Sequence, residues 1–249
     1  MKRDSRRDMA YFDKYVDILQ NTVHEKKGTI KSLPRLEGQA GRVSDLFTYS
    51  MQICIMKYGR GDNLVSIKDS VWQALEMREK MVDTLRDIAE EKPNIAKMYT
   101  DLDLYNYADG LTLLCFVIAV GGTPDDVKRT LKAFDYAGQD ILLDKIAVLL
   151  GDTAREQNMA TKLVFSKMYK PLLSVMDAPE DKRPALMKKF VEGWYASMKP
   201  AAWHNNDKGG EGAYYGYWCF EAALVAKLLN IDDSSFRDNV YYPADMLHR

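Results

Sequence analysis

An excess of charge of one sign is missing from this chain. Its 249 residues carry 36 acidic and 35 basic side chains, a formal net charge of −1, which argues against a strongly basic nucleic-acid binder. Histidine and cysteine are scarce, three of each. Cys54, Cys115 and Cys219 stand 61 and 104 residues apart. An odd, widely spaced set does not make a disulfide framework or a zinc ribbon, and it fits a reducing compartment. Long hydrophobic runs are also lacking. The longest uncharged stretch, Gly110 to Pro124, has 15 residues, short of the ~20 that a membrane-spanning helix needs, and it reads as a buried helix. Lys2, Arg3, Arg6 and Arg7 imitate the basic start of a signal peptide, but Asp13, Lys14 and Asp17 interrupt the place where its apolar core would follow. A cytoplasmic protein that does not engage a membrane is the expectation. The nucleophile elbow G-x-S-x-G, the Walker A loop, G-x-G-x-x-G and H-E-x-x-H are all absent, so no catalytic residue, metal ligand or cofactor is assigned.

What the chain does have is helical periodicity. Apolar residues recur every three to four positions over Met9–Val23, Gly41–Tyr58 and, most clearly, Ser66–Glu91. In the last of these, Ile67, Val71, Leu75, Val82, Leu85 and Ile88 share one stripe, Ser66 with Asp69 is read as the cap, and Pro93 ends the helix. Leu102–Val120 follows, closed by Gly121-Gly122. Thr123-Pro124-Asp125-Asp126 then supplies an N-cap, a first-turn proline and first-turn acids for the next helix. Further helices are expected at Asp140–Leu150, Thr161–Val175, Glu180–Ser197 and Tyr215–Leu229, with Pro200–Ala213 as a loop. No alternating strand pattern is present. The expected fold is all-α, a compact array of about 8–10 antiparallel helices. A boundary, if there is one, falls at Gly121–Thr123. It would separate an N-terminal helical segment, 1–120, from a C-terminal one, 121–249, and the two would pack as one compact unit.

Three places could carry function. The first is Asp101 to Asp126, where Asp101, Asp103, Asp109, Asp125 and Asp126 occur without a lysine or arginine, a segment charge of −5. Tyr99, Tyr105 and Tyr107 sit among them. Acids beside tyrosines suit a surface that meets a basic partner, since the acids steer encounter and the rings supply anchor area. The alternative is that Asp125 and Asp126 only stabilise a helix start and that the tyrosines are core. The second is His204, Asp207 and Glu211, which could ligate a metal but lack helical spacing and equally suit a solvated polar loop. The adjoining Gly209-Gly210-Glu211-Gly212 reads as a flexible turn. The third is the C-terminal block. Its helix is apolar almost all round, with only Glu221 and Lys227 charged, so it should be central and buried. Asn230 suits its stop, and Asp232-Asp233-Ser234-Ser235 suits a side-chain-bonded turn. A buried Glu221 needs a cation or donors, and Arg237 is the expected partner.

This block, Gly216-Tyr217-Trp218-x-Phe220-Glu221-Ala222-Ala223, then Ile231-Asp232-Asp233-Ser234-Ser235-Phe236-Arg237-Asp238 and Tyr241-Tyr242-Pro243, resembles the C-terminal signature of the PoNi immunity family, whose members neutralise PoNe polymorphic-toxin nucleases. The opening Arg7-Asp8 with Tyr11-Phe12-Asp13-Lys14-Tyr15 is similar to that family's N-terminal segment. The resemblance implies an all-helical cytoplasmic bacterial protein, made beside a secreted DNase of the PD-(D/E)xK class, which binds the toxin and blocks DNA degradation. It implies no contact with nucleic acid itself. Trp218, Glu221, Asp232, Asp233, Arg237, Tyr242 and Pro243 are read as an architectural motif, and Tyr99, Asp101, Asp103, Tyr105 and Asp109 as the candidate toxin-binding residues. A DNase holds phosphates on a basic face, and an inhibitor can occlude that face with acids and tyrosines. A helical scaffold for another protein partner and a small metal-dependent enzyme are the other two readings.

Overall fold

A computed structural model describes residues 2–209 and 214–246. Among them are ten α-helices and no strand: α1 Met9–Lys26, α2 Leu36–Arg60, α3 Leu64–Glu91, α4 Pro93–Thr100, α5 Leu104–Ala119, α6 Pro124–Ala133, α7 Ile141–Leu149, α8 Ser166–Asp177, α9 Arg183–Ser197 and α10 Phe220–Leu228. The all-α class is therefore confirmed. The chain divides into two compact units, Met1–Asn106 with Asn205–Gly216, and Tyr107–His204 with Tyr217–Arg249.

In the first unit, α1, α2 and α3 pack in succession and α4 rests on α2 and α3. Most of the stripes that the periodicity marks are buried: Phe12 and Val16 on α1, Val43, Leu46 and Phe47 on α2, and Ile67, Val71, Leu75, Leu85 and Ile88 on α3, while Val82 is half-buried. The start of α3 lies one turn before the expected cap. The Asn63 side chain accepts from the Ser66 backbone N–H at 2.8 Å, so Asn63, not Ser66, is the cap. Pro93 ends α3 as expected and also opens the short α4, because proline in the first turn forfeits a donor that has no helical partner there. The N-terminal segment is tied down. Arg3 and Asp4 donate their backbone N–H groups to Gly59 O at 3.0 and 2.9 Å. The Tyr214 hydroxyl donates to the Asp4 carboxylate, and the Tyr11 hydroxyl donates to Tyr214 O at 2.8 Å.

In the second unit, α8 packs on α9 and α9 on α10. From Phe220 to Ala226 every residue of α10 is buried, and Lys227 is exposed. The expected central helix is present, but it begins at Phe220, not Tyr215. Two constraints explain this. Gly216 takes φ +129°, which helices do not use, and the Cys219 backbone N–H is spent on Tyr241 O at 2.8 Å. Asn230 ends the helix in the left-handed region at φ +50°, as its chemistry favours. Residues 161–165 are likewise outside α8: the Val164 N–H donates to Asp140 Oδ2 at 2.7 Å, and Lys162 O accepts from Ile141 N at 2.9 Å. A short 3₁₀ turn, Glu180–Lys182, replaces the expected first turn of α9. At α6 the cap is the expected one, a full capping box between Thr123 and Asp126. All three cysteines are free and buried. Among the described residues no single helix is long and apolar enough to cross a membrane, and most of Gly110–Ala119 is buried.

Candidate functional site

The loop between α4 and α5 runs from Asp101 to Asp103. Asp103 caps α5, its carboxylate accepting from the Asn106 N–H at 2.7 Å. The Asn106 amide then turns back on the loop and donates to Asp101 O at 3.0 Å and Tyr99 O at 3.2 Å. Its own oxygen accepts from Arg78 at 2.9 Å. Arg78 is buried on α3 and lies over the Phe47 ring at 5.4 Å. A buried guanidinium thus holds a buried amide, and the amide holds two loop carbonyls. The result is a surface of fixed backbone on which Asp101 and Asp103 are exposed and Tyr99 is half-buried. Tyr105 is 47% exposed and Met98 is 75% exposed.

The sequence reading is met here residue by residue in different ways. Asp101, Asp103, Tyr99 and Tyr105 lie along one short stretch of the first unit. Asp109 is half-buried on the part of α5 that belongs to the second unit. Tyr107 is core, its hydroxyl donating to the buried Asp140 at 3.0 Å. Asp126 completes the helix cap described above. Met98 was missed, because α4 itself was not expected; its eight residues leave too short a period to see.

The C-terminal block folds into a tightly bonded framework. Asp232 accepts from the Ser234 N–H at 3.0 Å and from its hydroxyl at 2.9 Å, the expected side-chain-bonded turn. Asp233 is buried and takes the guanidinium of Arg237, with Nε at 2.9 Å. Trp218, Tyr242 and Pro243 are buried, and Tyr242 meets Phe236 edge-on at 4.9 Å. The expected Glu221–Arg237 pair does not form. Arg237 is four residues from Asp233 in the same turn, and this local pairing takes the guanidinium to the surface. Glu221 sits in the first turn of α10 and accepts from the Trp194 indole Nε1 of α9 at 2.6 Å. Burial pushes its carboxyl up to about 7; its own backbone amide and the Trp194 indole, followed by the Tyr169 hydroxyl and the Cys219 thiol nearby, pull the other way.

Two further features of the second unit bear on chemistry. Asp140 and Asp144 are fully buried acids, one turn apart, and both are saturated. Asp140 accepts from Leu142, Leu143 and Val164 N–H groups and the Tyr107 hydroxyl. Asp144 accepts from Gly138 and Ala160 N–H groups and from Arg155. A cleft of about 620 Å³ beside them has Lys128, Lys132, Asp125, Asp135 and Arg155 on its walls, and its buried Arg155 is already held by Asp144 and Asp152. Of the candidate metal residues, Glu211 lies outside the described residues, as do Gly210, Gly212 and His248. His204 stacks on Tyr195 at 4.3 Å between centroids, and Asp207 sits in a 3₁₀ turn. Among the described residues no group of three acids, histidines or cysteines could hold a metal ion.

The class defined by these observations is an all-α protein with a braced surface loop in one unit and a bonded aromatic and acidic framework in the other. Residues 138–246, which run from the Asp140 and Asp144 hubs through α10 to the closing turns, match the family model described as PoNe immunity proteins (PoNi), C-terminal. That range includes the block from Gly216 to Pro243 on which the resemblance is read. The whole chain is similar in fold to the crystal structure of protein PA2201 from Pseudomonas aeruginosa, with a TM-score of 0.72 at 13% identity, covering 99% of this chain and 89% of that one. No curated protein matches it.

Proposed function

We propose that the chain is an immunity protein that binds a PoNe-type nuclease toxin and covers its DNA-binding or active-site face. The observation that carries this reading is the PoNi match over residues 138–246. The α4–α5 loop is the surface we assign to the encounter. It offers two exposed aspartates to a basic face, with Met98 and Tyr105 as apolar anchors beside them, on a backbone that Asn106 already holds. Such preorganisation reduces the ordering cost of binding, and DNase–immunity pairs are among the tightest complexes known. With a net charge of −1, recognition rests on a local patch and on shape, not on imitation of DNA by the whole molecule. Inhibition by cover requires no catalytic residue, metal or cofactor of the inhibitor's own.

The test is co-expression with a PoNe-type nuclease, first of all any encoded by the adjoining gene. Survival of the host, co-elution of the two proteins and loss of DNA cleavage on adding the purified chain are the expected results. A chain that neither forms a complex with that nuclease nor protects against it would sink the proposal.

A further inference from the structure

The second unit holds a carboxylate in an arrangement that neither packing nor toxin binding calls for. Glu221 is 5% exposed in an otherwise apolar helix. Among the described residues its one hydrogen-bond donor of good geometry is the Trp194 indole at 2.6 Å, and no cation touches it. The groups that act on it from neighbouring elements are neutral, and the nearest cation in this shell, Arg237, faces Tyr242 and is paired with Asp233. Tyr107 and Cys115 approach from α5, Tyr169 from α8, and Cys219 from the segment just before α10. Farther out, Tyr242 borders the two thiols and Asp140 bonds Tyr107. One more group is incomplete: the Tyr169 hydroxyl is buried and makes no hydrogen bond of its own. Buried polar groups of this kind ordinarily find a partner.

These facts fit together if the carboxyl gains a proton. An ionised carboxylate held by one indole and no cation keeps most of its desolvation cost, whereas a protonated carboxyl avoids that cost and still accepts from Trp194. We propose that Glu221 is a proton-operated device within the second unit: in mildly acidic solution it is a neutral group bonded to Trp194, and as the pH rises it becomes a buried charge with no cation against it, which weakens the seat of α10. The proton comes from solvent and returns to it, with no other reactant. The raised carboxyl range already noted agrees with this geometry. The sign of the effect follows. A carboxyl held above its ordinary 4.5 when folded contributes stability that is complete below that value. That contribution is lost as the pH climbs toward about 7 and changes no further above it.

The experiment uses the whole chain. Glutamate carboxyl carbons are labelled and followed by NMR against pH, with Glu221 assigned by its loss in Glu221→Gln. A Glu221 midpoint near 7, accompanied by a shift of the Trp194 indole proton with the same midpoint, is the expected result. Thermal melts of wild type and Glu221→Gln supply the second reading, because glutamine keeps an acceptor for Trp194 and stays neutral at every pH. The variant should gain on wild type between pH 4.5 and about 7 and hold a constant lead above. A Glu221 resonance that titrates with the exposed glutamates, or melting curves that stay parallel over this range, would overturn the proposal. If the glutamine variant does not fold, assignment through the Trp194 indole in wild type decides it alone.

Discussion

Trp194 is the residue on which the buried carboxylate most depends. Removing the indole by Trp194→Phe keeps a ring but leaves Glu221 without its donor at 2.6 Å. A hydrogen bond to a charged group is worth about 1.5–3 kcal/mol, so the variant should lose about that much at pH 8 and clearly less at pH 5.5, where a carboxyl that titrates near 7 is neutral. Denaturant unfolding at the two pH values measures the difference. Equal losses would mean that the indole is there for its area alone. Asn106 plays the corresponding part in the first unit. Its amide satisfies Arg78 and two loop carbonyls, so Asn106→Ala should cost about 1–3 kcal/mol by leaving a buried guanidinium short of a partner. Asn106→Asp is the informative companion: it keeps an oxygen for Arg78 but gives up the two amide donors to the loop. A loop that stays rigid in that variant, by amide exchange at residues 99–103, would show that Asn106 does not brace it.

At the scale of elements, the sequence states most helices and misplaces several of their ends. Periodicity over Met9–Val23, Gly41–Tyr58 and Ser66–Glu91 is visible because each covers four or more turns with one apolar stripe. The boundaries that shifted did so for tertiary reasons that no local pattern carries. Val164 is drawn out of α8 by Asp140, 24 residues away, and Cys219 is drawn out of α10 by Tyr241. The Glu221–Arg237 pair failed on the same ground, since a local acid at Asp233 outcompeted a distant one for the guanidinium. The acidic stretch was legible as charge, but the brace beneath it was not, because Arg78 and Asn106 lie 28 residues apart and neither stands out in the sequence. Where the signal is local, the element should obey it. Thr123→Ala breaks a complete capping box and should destabilise by about 1 kcal/mol, read as a lower unfolding midpoint without change in slope. Toxin association should not change, because the cap is not part of the loop we assign to binding.

At the scale of the molecule, the proposed function turns on whether the α4–α5 loop meets the toxin, and the loop geometry dictates how to ask it. Asp101 contributes only its backbone to the loop's bonding, so Asp101→Lys reverses a charge and leaves the fold alone. Asp103 caps α5, and there Asp103→Asn is the better probe, since it removes the charge and retains the capping oxygen. The pair together should slow association with the nuclease severalfold at low salt and less at high salt, because exposed charges act mainly through encounter. Tyr105→Ala should instead speed dissociation. The control is Asp83→Lys with Asp87→Lys on α3, whose exposed pairs with Arg86 and Lys31 contribute little to stability. Slower association in the control, and unchanged association in the Asp101 and Asp103 pair, would place the interface elsewhere.

The bond between Asp4 and Tyr214 also sets a timetable. The two residues are 210 positions apart yet belong to the same compact unit, so the ribosome supplies one end of that unit long before the other. At roughly 5–20 residues per second, the first helices wait about 10–40 s for the strap that fastens them. During that interval, in which residues 107–204 of the second unit are made, Asp4 and the Tyr11 hydroxyl have no Tyr214 to meet. The first unit therefore has a built-in delay between the appearance of its first helices and its own completion.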